Sequence, residues 1–197
     1  MREVVLQMHT TLDGAADSKE GFVPIMDRAY WKELNAALEE TAAADVDTLL
    51  LGKGTFVQFR GYWPKAAADP TTPADLRRQA QSLDESTKVV FSKSLKTPGW
   101  RGSTIVRGEL RAEIARLKRR PGTNMLVPGG VAFPKALIEH DLVDEYLLSV
   151  VPVISGQGRY RLFGPLARPR ALRPLRSWRF ANGVELHQYR RARERGR

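Results

Sequence analysis

The sequence predicts an α/β fold with a mixed, mostly parallel central sheet, flanking helices and a C-terminal antiparallel hairpin. Three observations carry that expectation. Apolar runs of strand length alternate with helical patterns from Glu3 to Ile154. The run at residues 147–154 is continuous and rich in β-branched residues, as a buried strand would be. Asn182-Gly183, between two late extended segments, is a strong hairpin signal.

Residues 3–9 read as the first strand, which runs into the turn chemistry of Asp13-Gly14. Residues 15–26, with Gly21 and Pro24, read as a loop. Asp27 suits an N-cap, and residues 29–44 form the longest helical pattern, with Leu34, Ala37 and Leu38 as its inner stripe. A buried strand at 47–51 ends at Gly52-Lys53-Gly54-Thr55. A short helix is expected over 55–59, closed by Arg60-Gly61, followed by a proline- and alanine-rich surface loop at 62–73. Pro73 then suits the first turn of a helix over 73–83.

Residues 87–91 read as a strand ending at Ser92-Lys93-Ser94, and 103–106 as a short strand. The helix expected over 109–119 places Leu110, Ile114 and Leu117 at helical spacing, and its basic end suits the macrodipole. Met125-Leu126-Val127 is a strand that stops at Pro128-Gly129-Gly130, before an amphipathic helix over 131–140. Residues 169–179 and 184–190 form the closing hairpin. With no internal repeat and no low-complexity linker, residues 1–190 read as one domain and 191–197 as a basic tail.

Composition narrows the function. The formal charge is +10, and residues 159–197 alone hold twelve arginines, no lysine and two glutamates, which accounts for all of it. The tail lacks aromatic interleaving and the region carries no recognised nucleic-acid motif, so a solvated surface is favoured over a nucleic-acid site. There is no cysteine, which excludes disulfides and thiolate chemistry. His9, His140 and His187 are too scattered for a metal site, so none is expected. No apolar run reaches membrane-spanning length and no signal-peptide pattern opens the chain, so a cytoplasmic protein is expected.

In such a sheet, ligands bind beyond the carboxyl ends of the strands. Three strand ends carry phosphate-compatible residues: Gly52-Lys53-Gly54-Thr55, Ser92-Lys93-Ser94, and Pro128-Gly129-Gly130-Val131. Lysine offers charge, hydroxyls offer donors, and glycine permits close backbone approach. Any one of them is commonly structural; together they point to a phosphorylated dinucleotide. Neither the GxGxxG fingerprint nor the Walker A pattern is present.

The ordered set Thr11-Leu12-Asp13-Gly14, residues 47–56, residues 88–93, Gly129-Gly130, residues 142–145, residues 151–158 and Leu162-Phe163 resembles the dihydrofolate reductase-like superfamily. It is most similar to the branch related to the C-terminal reductase domain of bifunctional riboflavin biosynthesis proteins. The resemblance covers nearly the whole chain.

It implies NADPH binding, often a homodimer, and hydride transfer to a small heterocycle of pterin or pyrimidine type. It would place Gly52, Lys53, Gly54 and Thr55 at the pyrophosphate region, and Ser92 and Lys93 at the adenosine 2′-phosphate. Gly129, Gly130, Val131 and Ala132 would cradle the pyrophosphate at a helix start. Thr10, Leu12 and Asp13 would line the nicotinamide and substrate side. A segment near Val151-Pro152-Val153 would approach the dimer partner.

For catalysis the candidate acids are Asp27 and Asp13. Asp27 is explained in full by an N-cap, and Asp13 equally by a turn. Trp31 and Trp63 could stack on a flat substrate, or serve only in packing. His9, on an apolar strand, reads as a satisfied core or interface histidine. Relatives of this branch commonly carry glutamate where this chain has Pro128, which offers no polar side chain and no N–H. That departure points to a stand-alone reductase of another substrate. The alternative is a nucleotide-binding module of the same fold without turnover.

Overall fold

The computed structural model describes residues 1–16, 26–156 and 160–192. The strands are β1 (Val4–Thr11), β2 (Val46–Gly52), β3 (Thr87–Phe91), β4 (Ser103–Val106), β5 (Asn124–Pro128), β6 (Glu145–Val151), β7 (Leu172–Arg179) and β8 (Glu185–Arg191). The helices are α1 (Arg28–Leu38), α2 (Lys53–Ala68), α3 (Ala74–Glu85), α4 (Leu110–Lys118) and α5 (Ala132–Glu139). All eight strands share one sheet in the order β4-β3-β2-β5-β1-β6-β8-β7. Strands β1 to β6 pair in parallel, and β8 and β7 continue the sheet antiparallel from β6. The expected α/β architecture with its terminal hairpin is therefore observed.

Strand periodicity divides the core into two layers. Val4, Leu6 and Met8 of β1, Leu50 of β2, Val89 of β3, Met125 and Val127 of β5, and Tyr146 and Leu148 of β6 share one face. Ile114 and Leu117 of α4 and Leu137 and Ile138 of α5 cover that face. The intervening residues point the other way. Val5, Leu147 and Val151 pack with Tyr30, Leu34 and Ala37 of α1, while Leu49, Leu51 and Val90 pack with Phe56 of α2 and with Trp100. Each fully buried side chain of this size contributes roughly 1.5–3 kcal/mol, which is why the register along every inner strand is tightly specified.

Three expectations are corrected. Helix α1 ends at Leu38, not at residue 44. Acidic Glu39 and Glu40 oppose the macrodipole at that end, and the Thr41 hydroxyl donates to Leu38 O (2.8 Å) and accepts from Ala43 N (3.1 Å), offering the backbone an alternative to further helix. Helix α2 is 16 residues long and absorbs both Gly61 and Pro64, where a short helix and a surface loop were expected. Tertiary packing overrides the breakers: Phe59 and Trp63 meet edge to face at 5.9 Å, and both join the cluster under α2 and α3. Strand β6 starts and stops earlier than residues 147–154, and Ile154 is exposed. Glu145 begins that strand, yet it is buried. Val153 packs against this chain's own core, and its carbonyl accepts from Leu12 N (3.0 Å).

Residues 17–25 of the expected loop, Gln157 and Gly158, and residues 193–197 of the expected tail lie outside the described residues. Arg191, assigned to the tail from sequence, belongs to β8. Much of the arginine-rich hairpin is engaged within the chain. Arg190 pairs with Glu3 and Glu145, Arg191 with Asp144, Arg176 with Glu40, and Arg179 with Glu185. Among the described residues, no helix is long and apolar enough to cross a membrane, and no cluster of His, Asp or Glu could hold a metal ion.

Glu145 is the buried polar pin between the parallel sheet and the hairpin. Its Oε1 accepts from Gln188 Nε2 (2.8 Å) and its Oε2 from Arg190 Nη2 (3.2 Å), and it is 1% exposed. Arg190 is part-exposed and keeps Glu3 (2.7 Å), so the loss on removing Glu145 falls mainly on Gln188. Glu145→Ala should lower stability by about 2 kcal/mol, read as a lower urea midpoint at unchanged slope.

Candidate active site

Three strand ends meet above the sheet, and packing ties them together. A side chain at Gly52 would press on Phe133 of α5 (Cβ to Cβ 2.7 Å), so this glycine is explained by the seating of Phe133. Phe133 also stacks on Phe91 at the end of β3, with centroids 4.8 Å apart. A Cβ on Gly130 would run into Thr55 Oγ1, so Thr55 and Gly130 face each other. Lys53 Nζ donates to Ser94 Oγ (3.0 Å), joining the start of α2 to the turn after β3. The Ser92 hydroxyl is used within that turn, accepting from Leu95 N (3.0 Å), and Lys93 is exposed. The sequence-predicted cofactor set is thus brought to one place.

Two helix starts at this place have no side-chain cap. The N-cap position of α2 is Gly52 and that of α5 is Val131, followed by the exposed Ala132. By contrast, Asp27 caps α1 by accepting from Tyr30 N (2.8 Å), and Glu109 caps α4 by accepting from Arg111 N and Ala112 N. The start of α3 at Pro73 is likewise uncapped by a side chain. First-turn N–H groups carry the positive end of the helix dipole and suit an anion. Gly54 and Gly129 have open space where a side chain would stand. Gly129 and Gly130 both adopt φ near +87°, a region that disfavours any other residue.

Beside these loops, a cleft of about 860 Å³ opens between α1, α2 and α3. Gln7 and His9 of β1 and Leu126 and Pro128 of β5 form its floor. Helix α1 contributes Trp31 and Asn35, α2 contributes Phe59, Tyr62 and Trp63, and α3 contributes Leu76 and Gln79. Gly129 lies in the cleft wall as well as in the β5–α5 turn, so the two regions are continuous. The Arg28–Asp75 ion pair (2.9 Å) links α1 to α3 at the rim. Both partners are exposed, so it contributes at most about 1 kcal/mol.

Of the residues expected on the substrate side, Trp31 and Trp63 line the cleft; Thr10 and Leu12 do not. Thr10 falls on the same face of β1 as Leu6 and Met8, the face opposite the cleft, and Leu12 lies past the strand with its side chain exposed. Neither candidate acid lines the cleft. Asp27 is the α1 cap. Asp13 is an anchor: its carboxylate accepts from Thr11 Oγ1 (2.5 Å), Ser155 N (3.1 Å) and Gly156 N (3.1 Å). The Thr11 hydroxyl, followed by the Ser155 N–H, holds its pKa down at about 2, which leaves no proton to donate near neutrality.

Sequence reasoning read His9 as a satisfied core or interface histidine and gave Tyr30 no role. His9 Nε2 lies 2.7 Å from Tyr30 Oη, and its ring meets Trp31 edge to face at 5.4 Å. Burial pulls the His9 pKa down to about 4 and pushes Tyr30 up to about 12, so both are neutral at physiological pH. The period of two along β1 was the available signal, since Val5, Gln7 and His9 must share the face that α1 covers.

A sequence profile of the RibD C-terminal domain matches residues 2–186. The chain belongs to the RibD C-terminal domain family. It is 29% identical over 187 residues to uncharacterized protein YyaP of Bacillus subtilis (strain 168), covering 93% of this chain and 92% of that protein. It is 26% identical over 189 residues to uncharacterized protein YwjB of the same organism, covering 96% and 98%. Among solved structures, a pyrimidine reductase-like protein from Corynebacterium diphtheriae NCTC superposes with a TM-score of 0.64 at 14% identity, covering 98% of this chain and 93% of that one. A diaminohydroxyphosphoribosylaminopyrimidine deaminase/5-amino-6-(5-phosphoribosylamino)uracil reductase from Thermotoga maritima superposes at 0.61 with 18% identity, covering 97% of this chain and 57% of that one. At such identities these structures establish the reductase-like fold. In this RibD C-terminal domain, Pro128 gives the cleft floor an apolar surface.

The Asp13 anchor has a definite acid dependence. Its folded pKa of about 2 lies below the ordinary 3.8, so between these values the unfolded chain takes up a proton that the folded chain does not. The stabilisation is complete above about pH 4 and is lost as pH falls toward 2. Asp13→Asn should melt below wild type at neutral pH, and the gap in Tm should close across that acid window.

Proposed function

We propose that this protein is a reductase that binds NADPH across the three joined strand ends and reduces a flat heterocycle held in the adjoining cleft. One observation carries the reading. Two uncapped helix starts, bordered by the open positions at Gly54 and Gly129, adjoin an aromatic-lined cleft through Gly129 itself. Family membership supports the same class of chemistry.

The residues present fit such a cofactor. N–H groups of residues 53–55 and 130–132 would hold the pyrophosphate, and Lys53 and Lys93 offer charge to further phosphate. The family resemblance favours Ser92 and Lys93 for the 2′-phosphate. When bound, the nicotinamide supplies the hydride. The chain's own part is to exclude water and to orient a ring: Trp31, Phe59, Tyr62 and Trp63 present aromatic surface, and Leu126 and Pro128 form an apolar floor. The substrate is accordingly a small planar heterocycle, and the Pro128 floor favours a ring without a group that needs a carboxylate partner at that point.

A binding module without turnover is the second reading, favoured by the placement of Asp13 and Asp27 outside the cleft. NADPH oxidation in the presence of pterins, pyrimidines and quinones separates the two, since steady turnover of any of them rules out a pure binder.

Nicotinamide fluorescence on titration with NADPH tests the cofactor site. Gly54→Asp is the informative variant. Its Cβ meets nothing within 4 Å, and an acid in the first turn of α2 favours the helix. It should melt no lower than wild type yet weaken NADPH at least tenfold by repelling phosphate. No binding of NADPH to wild type at millimolar concentration would sink the reading.

A further inference from the structure

The floor of the cleft carries an imidazole that neither the aspartates nor the cofactor loops account for. His9 stands on the floor, and its Nε2 is 2.7 Å from the hydroxyl of Tyr30, a residue that is 2% exposed. Among the described residues Nδ1 makes no hydrogen bond. The ring itself is held edge-on by Trp31 (5.4 Å) and by Tyr30 (5.8 Å). These contacts fix both its position and its plane. A phenol is a stronger acid than a neutral imidazole N–H, and an imidazole nitrogen is a stronger base than a phenol oxygen. The favoured arrangement is therefore Tyr30 O–H donating to Nε2, which leaves the imidazole proton on Nδ1.

We propose that His9 is the directional polar contact for the ring bound in this cleft, donating Nδ1–H to a ring carbonyl oxygen or ring nitrogen while Tyr30 holds the tautomer. The assignment of that ring as a reducible substrate rests on the reductase reading; the contact itself requires only a ring. His9 is the substrate-touching group and Tyr30 the positioning residue. During reduction, the hydrogen bond polarises the C=O or C=N group and stabilises the negative charge that develops on its heteroatom, as a neutral donor in a dry site can. Burial keeps the imidazole uncharged near neutrality, so its N–H is a neutral donor.

The chain has three histidines, so His9 signals can be assigned in imidazole nitrogen NMR spectra by their loss in His9→Phe. In wild type, His9 should show a single tautomer with Nε2 unprotonated, and Tyr30→Phe should relax it toward the mixture of free imidazole. Titration with a pterin and with 2,4-diaminopyrimidine should shift His9 and leave His140 and His187 in place. His9→Phe should weaken the better-binding ring at least tenfold with NADPH affinity within twofold of wild type, which also reports an intact fold. His9→Asn, whose amide can replace the Nδ1–H donor, should restore part of the loss. An Nε2–H tautomer in wild type, unchanged ring affinity in His9→Phe, or no binding of either ring to wild type overturns the proposal. Failure of wild type to bind NADPH, with ring binding lost in His9→Phe, would overturn the reductase reading and leave the His9 contact supported.

Discussion

The placement of β5 between β1 and β2 is the constraint on which the rest of the site depends. Helix α1 follows β1 and packs over β1, β6 and β8, with Tyr30, Leu34 and Ala37 against Val5, Leu147, Val151 and Leu186. Helix α2 follows β2 and packs with α3 over β2 and β3. On that face, among the described residues, no helix is centred on β5. Leu126 is half-buried and touches both clusters, and the gap above it is the cleft. On the other face α4 and α5 close the layer. The order of strands, through the reversal that brings β5 inside, thus produces both a cleft and an adjacent pair of helix starts at the carboxyl ends of the strands, where ligands of such sheets bind.

The joined strand ends and the cleft are built by different physics. Around the strand ends, Gly52 receives Phe133, Gly130 faces Thr55, and Phe91 stacks on Phe133. Each contact leaves no room for a larger residue, so the relative placement of the two helix starts is over-determined. The cleft walls are joined at the rim by a solvated ion pair, Arg28 with Asp75. Phe59 and Trp63 are also held in the core cluster beneath α2 and α3, so that part of the lining is constrained by packing. Trp31, Asn35, Tyr62 and Gln79 are exposed, so this part of the lining can change at little cost in stability.

The strands and the three phosphate-compatible turns were legible because their signals are local. β3 and β4 fall where the apolar runs place them, residue for residue, and Gly52 and Gly130 mark real close approaches. The cleft was much less legible. Gly61 and Pro64 argue locally against a helix, and only packing of Phe59 and Trp63 beneath α2 and α3 carries α2 through them. That one error put Tyr62 and Trp63 on a loop and removed a wall. The two aspartates misled for a related reason: Asp and Thr in turns are as well explained by capping and anchoring as by chemistry, and here the backbone N–H groups claim both carboxylates.

His9 shows what a stricter use of periodicity would have revealed. Leu6 and Met8 belong to the α4–α5 face, so Gln7 and His9 must lie beneath α1. Asp27 caps that helix, and the cap sets its phase: Tyr30, Leu34 and Ala37 turn inward, while Trp31 and Asn35, one position on, border the cleft. Tyr30 is then the residue that reaches His9 from behind, and Trp31 the one that reaches it from the cleft. The aspartate first considered as an acid therefore acts at a distance. By fixing the start of α1 it sets which aromatic side chain supports the histidine and which one borders the cleft.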